Sequence, residues 1–160
     1  MTKSIMSETP IPILATGRTD AIGSQVIALM KPEFEVIHFT FASAITDELP
    51  FLLTGKAPPS PSSTLGSGNW SSPPQALLIG GAYQDKDVEE VVKLAKSTDG
   101  AMEIPWLRID SGKMKPPTGK PTPEEAAAYG KAIVQRFKEG LDKLKQEGKL
   151  GQGKGGIYLV

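Results

Sequence analysis

The sequence contains no cysteine, which excludes disulfides, thiolate metal sites and cysteine nucleophiles. It has one histidine, His38, and no cluster of carboxylates with the spacing of metal ligands, so we expect no metal site. The 18 basic and 18 acidic residues give a net charge of 0, which offers no overall field for nucleic acid or an anionic membrane. No apolar run approaches the ~20 residues of a membrane span, and residues 1–10 lack the apolar core of a signal peptide. We therefore expect a cytoplasmic protein with no nucleic-acid or membrane partner.

What the sequence does contain is an alternation of strand-like and helix-like segments over 160 residues, of which 39% are hydrophobic. This length suits one domain over residues 11–160, after a disordered N-terminus at residues 1–10. The pattern predicts an α/β fold with a short parallel sheet of four or five strands, helices on both faces and right-handed crossovers. The first predicted strand ends near Gly17. The four later ones cover residues 35–41, 75–81, 103–110 and 156–160. The first predicted helix starts near residue 21, and the second covers 43–53 with an interruption at Pro50. The third covers 85–97 with Asp85 as its N-cap, and the fourth starts after the cap Thr122.

The most informative stretch runs from Pro12 to Val26: a short apolar strand, a glycine-containing turn and the start of an amphipathic helix. Such a turn lets the backbone approach a ligand at the first glycine and directs the free N–H groups of the helix toward it. The turn itself, Thr16-Gly17-x-x-x-Ala21-Ile22-Gly23, resembles the TGxxxGIG turn of short-chain dehydrogenases and their atypical, NmrA-like relatives. The resemblance covers the first half of the chain and implies a three-layer Rossmann-like sandwich. Ala21 replaces the middle glycine of the family, and its methyl group lies where a pyrophosphate needs room.

The catalytic pair of that family is missing. A short-chain dehydrogenase places a lysine four residues after its tyrosine, on the same helix face. Here Tyr129 is followed by Lys131, and Tyr83 by Lys86. After the second strand, residues 40–43 also offer no acid or arginine for an adenosine ribose. We expect no cofactor, with NADP as the alternative.

In parallel sheets the ligand crevice lies beyond the carboxyl ends of the strands, which identifies candidate site residues. Arg18 would stabilise an anionic oxygen at the helix N-terminus, and Asp110 or Tyr83 would deliver a proton. His38, predicted on the same strand face as Val36 and Thr40, is either a core residue or a further acid–base group. The candidate catalytic residues are Arg18, Asp110, Tyr83 and His38, and the candidate substrate-binding residues are Gly17, Thr19, Asp20, Thr40, Phe41, Trp70 and Gly81.

The segment 56–74 is rich in proline and serine, and its only large apolar residues are Leu65 and Trp70. Its composition cannot fill a core and it is long for a connection, so it predicts a mobile lid or a partly disordered excursion. Trp70 either enters a ligand pocket or a partner interface, or pins the segment to the body of the domain.

Three functions fit these features. The first is a cofactor-independent cyclase or isomerase that forms an oxygen heterocycle on an aromatic, polyketide-like small molecule of secondary metabolism. The chain as a whole is similar to small fungal Rossmann-like proteins, which include the hydroalkoxylating cyclases of phenalenone pathways, and the resemblance implies this chemistry. The second is an NADP-binding oxidoreductase or NmrA-like sensor. The third is a non-catalytic module that forms a homodimer through the 56–74 segment and the last strand.

Overall fold

The computed structural model describes residues 9–160, so most of the predicted disordered segment 1–10 lies outside the described residues. The described chain forms a five-stranded, all-parallel sheet of order β2-β1-β3-β4-β5 with helices on both faces, which confirms the predicted α/β class. Within residues 9–160, no helix is long and apolar enough to cross a membrane. The strands are β1 Ile11–Gly17, β2 Phe34–Phe41, β3 Leu77–Ile79, β4 Trp106–Arg108 and β5 Ile157–Leu159. The helices are α1 Asp20–Met30, α2 Ile45–Leu52, α3 Asp85–Ser97 and α4 Pro123–Gln146, with a short 3-10 turn at Ala42–Ala44.

Each face of the sheet has its own core, because successive strand side chains point to opposite faces. Ile13 and Ala15 of β1 pack with α1 and α4 on the first face. Leu14, between them, packs with α2 and α3 on the second face. The central strands are buried on both sides, which is why they read as continuous apolar runs in the sequence.

The four crossovers do not share one hand. The β2–β3 and β3–β4 connections both move toward the β5 edge of the sheet, and their helices α2 and α3 lie on the second face. The β1–β2 connection moves toward the β2 edge, and its helix α1 lies on the first face. These three have the same hand. The β4–β5 connection also moves toward the β5 edge, as the β3–β4 connection does, but its helix α4 packs beside α1 on the first face. The last crossover therefore has the opposite, left hand, and the prediction of right-handed crossovers was wrong there. Within residues 9–160, the second face beside β5 consequently has no helix of its own, while β4 is covered there by α3.

A β-bulge changes the orientation of β2. Ile13 pairs with Val36 but Leu14 pairs with His38, so Ile37 is an extra residue in the ladder. Val36 packs in the first-face core and Ile37 in the second-face core. His38, opposite Leu14, lies on the second face together with Thr40. The prediction that His38 shares a face with Val36 was therefore wrong, because the bulge breaks the two-residue alternation that it assumed.

The proline- and serine-rich segment lies along the free edge of β2. The backbone of Leu65 accepts a hydrogen bond from Phe39, and the backbone N–H groups of Ser67 and Gly68 donate to Val36 and Ile37. Ser62 and Ser63 add side-chain hydrogen bonds to the same strand. These contacts protect an edge that would otherwise expose unpaired backbone groups. Residues 56–74 therefore form an edge cover for β2, in which backbone pairing replaces the apolar contacts that the segment lacks. The mobility of the segment stays a prediction.

Local signals placed the helix ends well, with two exceptions. Thr122 caps α4, and its capping box with Glu125 forms as predicted. The N-cap of α3 is Gln84 and not Asp85, because Asp87 accepts the Gln84 backbone N–H. Helix α2 continues through Pro50 to Leu52 instead of breaking there.

Gly66 provides a test of the edge cover. It has a φ of 106°, and a Cβ there would lie 2.7 Å from the Ile37 carbonyl oxygen. Gly68 also has a positive φ, of 70°, but a Cβ there would meet nothing within 4 Å. We expect Gly66→Ala to lower the free energy of unfolding by about 3 kcal/mol, and Gly68→Ala by about 1 kcal/mol from backbone strain alone. Urea unfolding measures both, and equal losses would show that residue 66 does not press against β2.

Candidate functional site

A crevice opens at the carboxyl ends of β1 and β3, where the chain reverses direction across the sheet, as expected for a parallel sheet. The turn after β1 forms one wall and residues 80–82 after β3 form the other. The floor consists of first-face side chains. The cavity measures about 40 Å³, room for bound water but below the ~300 Å³ of a typical ligand pocket. Its lining includes Gly17, Arg18, Thr19, Gly81, Pro116 and Tyr129.

The turn is held by close packing against one aromatic ring. The Phe39 ring lies so near that a Cβ on Gly17 would approach it to 3.3 Å, and a Cβ on Gly23 to 2.9 Å. Thr19 is the N-cap of α1 and accepts the backbone N–H of Ile22 at 3.3 Å. Gly17 and Gly23 therefore have packing roles in this chain, and the turn directs the N-terminus of α1 at the crevice.

The hydroxyl oxygen of Tyr129, on α4, lies inside the crevice. The sequence analysis did not select Tyr129 as a site residue. The side chain is 9% exposed, and its hydroxyl is buried without a hydrogen-bond partner among the described residues. Burial raises the pKa of Tyr129, and the nearby Gly81 backbone opposes this rise in part. The hydroxyl touches the position that a Gly81 Cβ would occupy. Tyr129 reads as a core residue in the helical pattern, so its sequence position gave no signal of this role.

The roof of the crevice comes from the loop that joins β4 to α4. Pro116, Pro117, Gly119 and Pro121 line the cavity from this side. Asp110, at the start of the loop, accepts the Gly112 N–H at 3.0 Å and forms the turn there. It is not part of the crevice lining. The cover of this site is therefore the 111–121 loop, while the 56–74 segment covers the edge of the sheet.

Tyr83 lies on the second face of the sheet. Its hydroxyl is 2.6 Å from Thr16 Oγ1, which itself donates to the Thr40 carbonyl at 2.7 Å. The Thr16 proton is thus used, so Tyr83 is the donor in the pair. Burial raises the pKa of Tyr83 to about 12, the Thr16 hydrogen bond opposes this rise, and the charge of Asp87 adds to it. Arg108 holds the Tyr83 backbone carbonyl at 3.2 Å. Tyr83 is a neutral hydroxyl engaged within the structure.

A second polar cluster is built around Glu48, which is 3% exposed. Its Oε1 is 2.8 Å from His38 Nε2 and accepts Thr40 Oγ1 at 3.0 Å, and its Oε2 accepts the Ser62 backbone N–H. Burial raises the pKa of Glu48, but the hydrogen bonds from His38, Ser62 and Thr40 outweigh it, so the net pKa is lowered. The ionised carboxylate can only accept, so His38 Nε2 carries the proton. Glu48, which the sequence analysis did not select, joins α2, β2 and the edge cover.

Trp70 packs beside this cluster, on the outside of His38. The two ring centres are 6.4 Å apart and the planes are tilted by 40°. The indole also contacts the second-face core. Trp70 therefore pins the edge cover to the body of the domain, which was one of the two predicted alternatives.

The structure thus divides eight of the predicted site residues into two groups on opposite faces of the sheet, and Asp20, Phe41 and Asp110 belong to neither group. Residues of the β1 turn and of the loop after β3 meet at the crevice. His38, Thr40 and Trp70 lie at the Glu48 cluster, and Tyr83 forms its own hydrogen bond with Thr16 on the second face. Asp20 is exposed in the first turn of α1, and Phe41 is half-buried at the end of β2, edge-on to Phe39 with ring centres 5.6 Å apart. The crevice group is Gly17, Arg18, Thr19 and Gly81; the second-face group is His38, Thr40, Trp70 and Tyr83.

The two buried tyrosines form a matched pair for mutation. Tyr83→Phe removes a formed hydrogen bond, so we expect a loss of about 1 kcal/mol in the free energy of unfolding. Tyr129→Phe removes a hydroxyl that is buried without a partner, so we expect no loss or a gain of up to about 1 kcal/mol. Chemical denaturation of the two variants and the wild type gives the comparison. A loss at residue 129 as large as that at residue 83 would contradict an unpaired hydroxyl.

Glu48 predicts a pH-dependent contribution to stability. Its folded pKa lies below the ordinary value of 4.5, so the stabilisation is present above about pH 4.5 and is lost as the pH falls toward the folded pKa. We expect Glu48→Gln to lower the free energy of unfolding by about 2 kcal/mol at pH 7, with a smaller difference from wild type below pH ~4.

Glu33→Gln is the matched control, because Glu33 is an exposed carboxylate 3.1 Å from Lys138 and should contribute less than about 1 kcal/mol. Thermal melts of the three proteins across pH provide the measurement. A deficit in Glu48→Gln that stays constant down to pH 3 would contradict ionisation of Glu48 as its source.

No protein-family model matches the chain, and no solved structure matches it. One curated relative, kojic acid related protein 6 of Aspergillus oryzae, is 32% identical over 139 residues, which cover 86% of this chain and 80% of the relative. The chain belongs to the same family as kojic acid related protein 6.

Proposed function

We propose that this protein is a cofactor-independent enzyme of fungal secondary metabolism that cyclises or isomerises a small, oxygen-rich molecule in the crevice between β1 and β3. The observation that carries the proposal is the Tyr129 hydroxyl, buried in the crevice without a hydrogen-bond partner within residues 9–160. An unsatisfied buried hydroxyl costs folding free energy, so its retention is explained if a ligand oxygen completes its hydrogen bond. The name of the A. oryzae relative links that protein to kojic acid, which is itself an oxygen heterocycle.

Two groups at the crevice have complementary roles in the proposed chemistry. The N-terminus of α1 and the Arg18 guanidinium at the mouth favour negative charge on a ligand oxygen. Tyr129, a neutral hydroxyl whose pKa burial raises above the ordinary tyrosine value, donates a hydrogen bond or a proton from the floor. Tyr83 and Asp110 were expected to supply this proton, but Tyr83 donates to Thr16 and Asp110 forms a turn. We assign the proton-bearing role to Tyr129.

The reaction type that fits these groups is the intramolecular addition of an O–H group across a carbon–carbon double bond. The O–H bond and the π bond of the alkene break, a C–O bond and a C–H bond form, and the proton passes from oxygen to carbon through the Tyr129 hydroxyl. No electrons are gained or lost, so no redox cofactor is required. Stabilisation of the developing oxyanion by Arg18 and the helix end lowers the barrier.

A dinucleotide fits the residues of this crevice poorly. Ala21 adds a methyl group at the position that the pyrophosphate approaches, and Gly17 and Gly23 are already packed against Phe39. The end of β2, where an adenosine ribose would need an acid or an arginine, carries Phe41, whose backbone N–H is bonded to Ser62. These features support a function without NADP.

Ligand entry requires the 111–121 loop to move, because the closed crevice measures only about 40 Å³. The loop contains several prolines and glycines and contributes no regular element. An opening of this roof would expose the Tyr129 hydroxyl and the α1 N-terminus together. The proposed enzyme is therefore one that closes over its substrate and excludes water.

A binding experiment tests the proposal. Kojic acid and a series of planar phenols are titrated into the wild type, Tyr129→Phe and Arg18→Ala, with binding followed by calorimetry. We expect the wild type to bind at least one of these probes and both variants to bind it about tenfold more weakly or worse, since each loses a polar contact of about 1.4 kcal/mol or more. Tyr83→Phe is the control, because that hydroxyl lies on the other face.

The same titration with NADPH and NADH separates the alternative function. Binding of either dinucleotide at micromolar concentration would overturn the cofactor-free proposal in favour of an oxidoreductase or sensor. Binding of a phenolic probe that is unchanged in Tyr129→Phe and Arg18→Ala would place the site elsewhere.

A further inference from the structure

The two edges of the sheet are treated differently by the chain. The β2 edge is covered by backbone hydrogen bonds from residues 65–68. Along β5, the backbone of Gly156 and Val160 bonds to β4. Because peptide groups alternate in direction along a strand, the N–H and C=O groups of Ile157 and Leu159 point away from the sheet. Within residues 9–160, nothing hydrogen-bonds to this outer side of β5.

The uncovered edge is also apolar. The Ile157 and Leu159 side chains are 46% and 63% exposed and point to the second face, while Tyr158 packs into the first-face core. Exposed edges are usually blocked by charged residues, proline or a covering segment, and β5 contains none of these. An unprotected edge with exposed apolar residues is the surface that pairs with another strand.

The left-handed β4–β5 crossover widens this surface. With α4 on the first face, the second face beside β5 keeps an open groove of about 930 Å³ between α3 and the strand. The groove carries charges of both signs, Lys96 and Lys154 with Asp99 and Glu103. A surface with charges of both signs does not repel a second copy as a field of one sign would.

We infer that the protein forms a homodimer by antiparallel pairing of β5 with β5 of a second copy. The register follows from the hydrogen-bonding groups. Only Ile157 and Leu159 present free groups, so Ile157 of one copy exchanges hydrogen bonds with Leu159 of the other, and the two-fold axis passes beside Tyr158. Ile157 and Leu159 side chains then lie side by side across the axis and shield each other from water. The two sheets become one continuous ten-stranded sheet.

Sedimentation of the full chain over a range of concentrations tests the dimer. We expect the average mass to rise from 17.0 kDa toward twice that value, and Leu159→Lys to raise the dimer dissociation constant about tenfold or more by replacing the apolar contact. Leu159→Pro removes the outward N–H without touching the bonds to β4 and should have the same effect. Leu29→Lys is the control, because Leu29 is also an exposed leucine, 37% exposed, but lies on α1. A wild type that stays monomeric up to millimolar concentration would overturn the inference, as would a dimer that both Leu159 variants leave intact.

Cysteine cross-linking reads the register and does not depend on weakening the dimer. The chain has no cysteine, so a single introduced thiol is the only one present. Opposite residues in a non-hydrogen-bonded antiparallel pair have Cα atoms about 4.5 Å apart, within the range of a disulfide. We expect Tyr158→Cys to form a covalent dimer on oxidation several-fold faster than Ile157→Cys, Leu159→Cys or the control Leu29→Cys. Equal rates in all four variants would overturn β5 pairing, and a maximum at residue 157 or 159 would overturn the register.

Discussion

The contact of the Phe39 ring with Gly17 and Gly23 is the constraint on which the rest of the structure depends. It fixes how closely the β1 turn and helix α1 approach β2, because neither glycine leaves space for a Cβ above the ring. The same ring forms part of the crevice floor, and Phe41 stacks against it edge-on. Since α4 packs on α1, the position of Tyr129 is set by the same contact. In dinucleotide-binding folds the glycines of this turn serve packing and pyrophosphate approach together; here the packing function is kept and Ala21 replaces the ligand-facing glycine.

The buried polar groups of the domain fall into two energetic classes. Glu48 is an ionised side chain in the interior, and both of its carboxylate oxygens accept hydrogen bonds from β2 or from the edge cover. Such a cluster rigidifies the elements that it joins, and the loss of one partner is expensive. Tyr129 is the opposite case, with one hydroxyl left unpaired in a small cavity. The contrast is the reason to regard the Glu48 cluster as part of the scaffold and the Tyr129 crevice as the place where a ligand acts.

The handedness of the last crossover connects the crevice to the sheet edge. Helix α4 on the first face brings Tyr129 and the 111–121 loop over the β1–β3 opening, which a helix on the second face could not reach. The same placement leaves β5 with one covered and one uncovered face. Only the latter carries exposed isoleucine and leucine side chains. A single topological choice therefore shapes both the proposed site and the proposed dimer surface.

The sequence by itself determined the local features of this protein, because these depend on residues close together along the chain. The apolar runs, the Thr122–Glu125 capping box and the β1 glycine turn predicted the order of strands and helices and the crevice at the strand ends. Tertiary structure alone decided four further features: the bulge at Ile37, the side of the sheet taken by α4, the course of residues 56–74 along β2, and the unpaired hydroxyl of Tyr129. The bulge depends on pairing with a strand more than twenty residues away, and the edge cover on backbone groups that no side-chain pattern reveals. Tyr129 occupies an apolar position of a helical repeat, and only the packing of α4 over Gly81 decides that its hydroxyl is buried with no donor or acceptor in line.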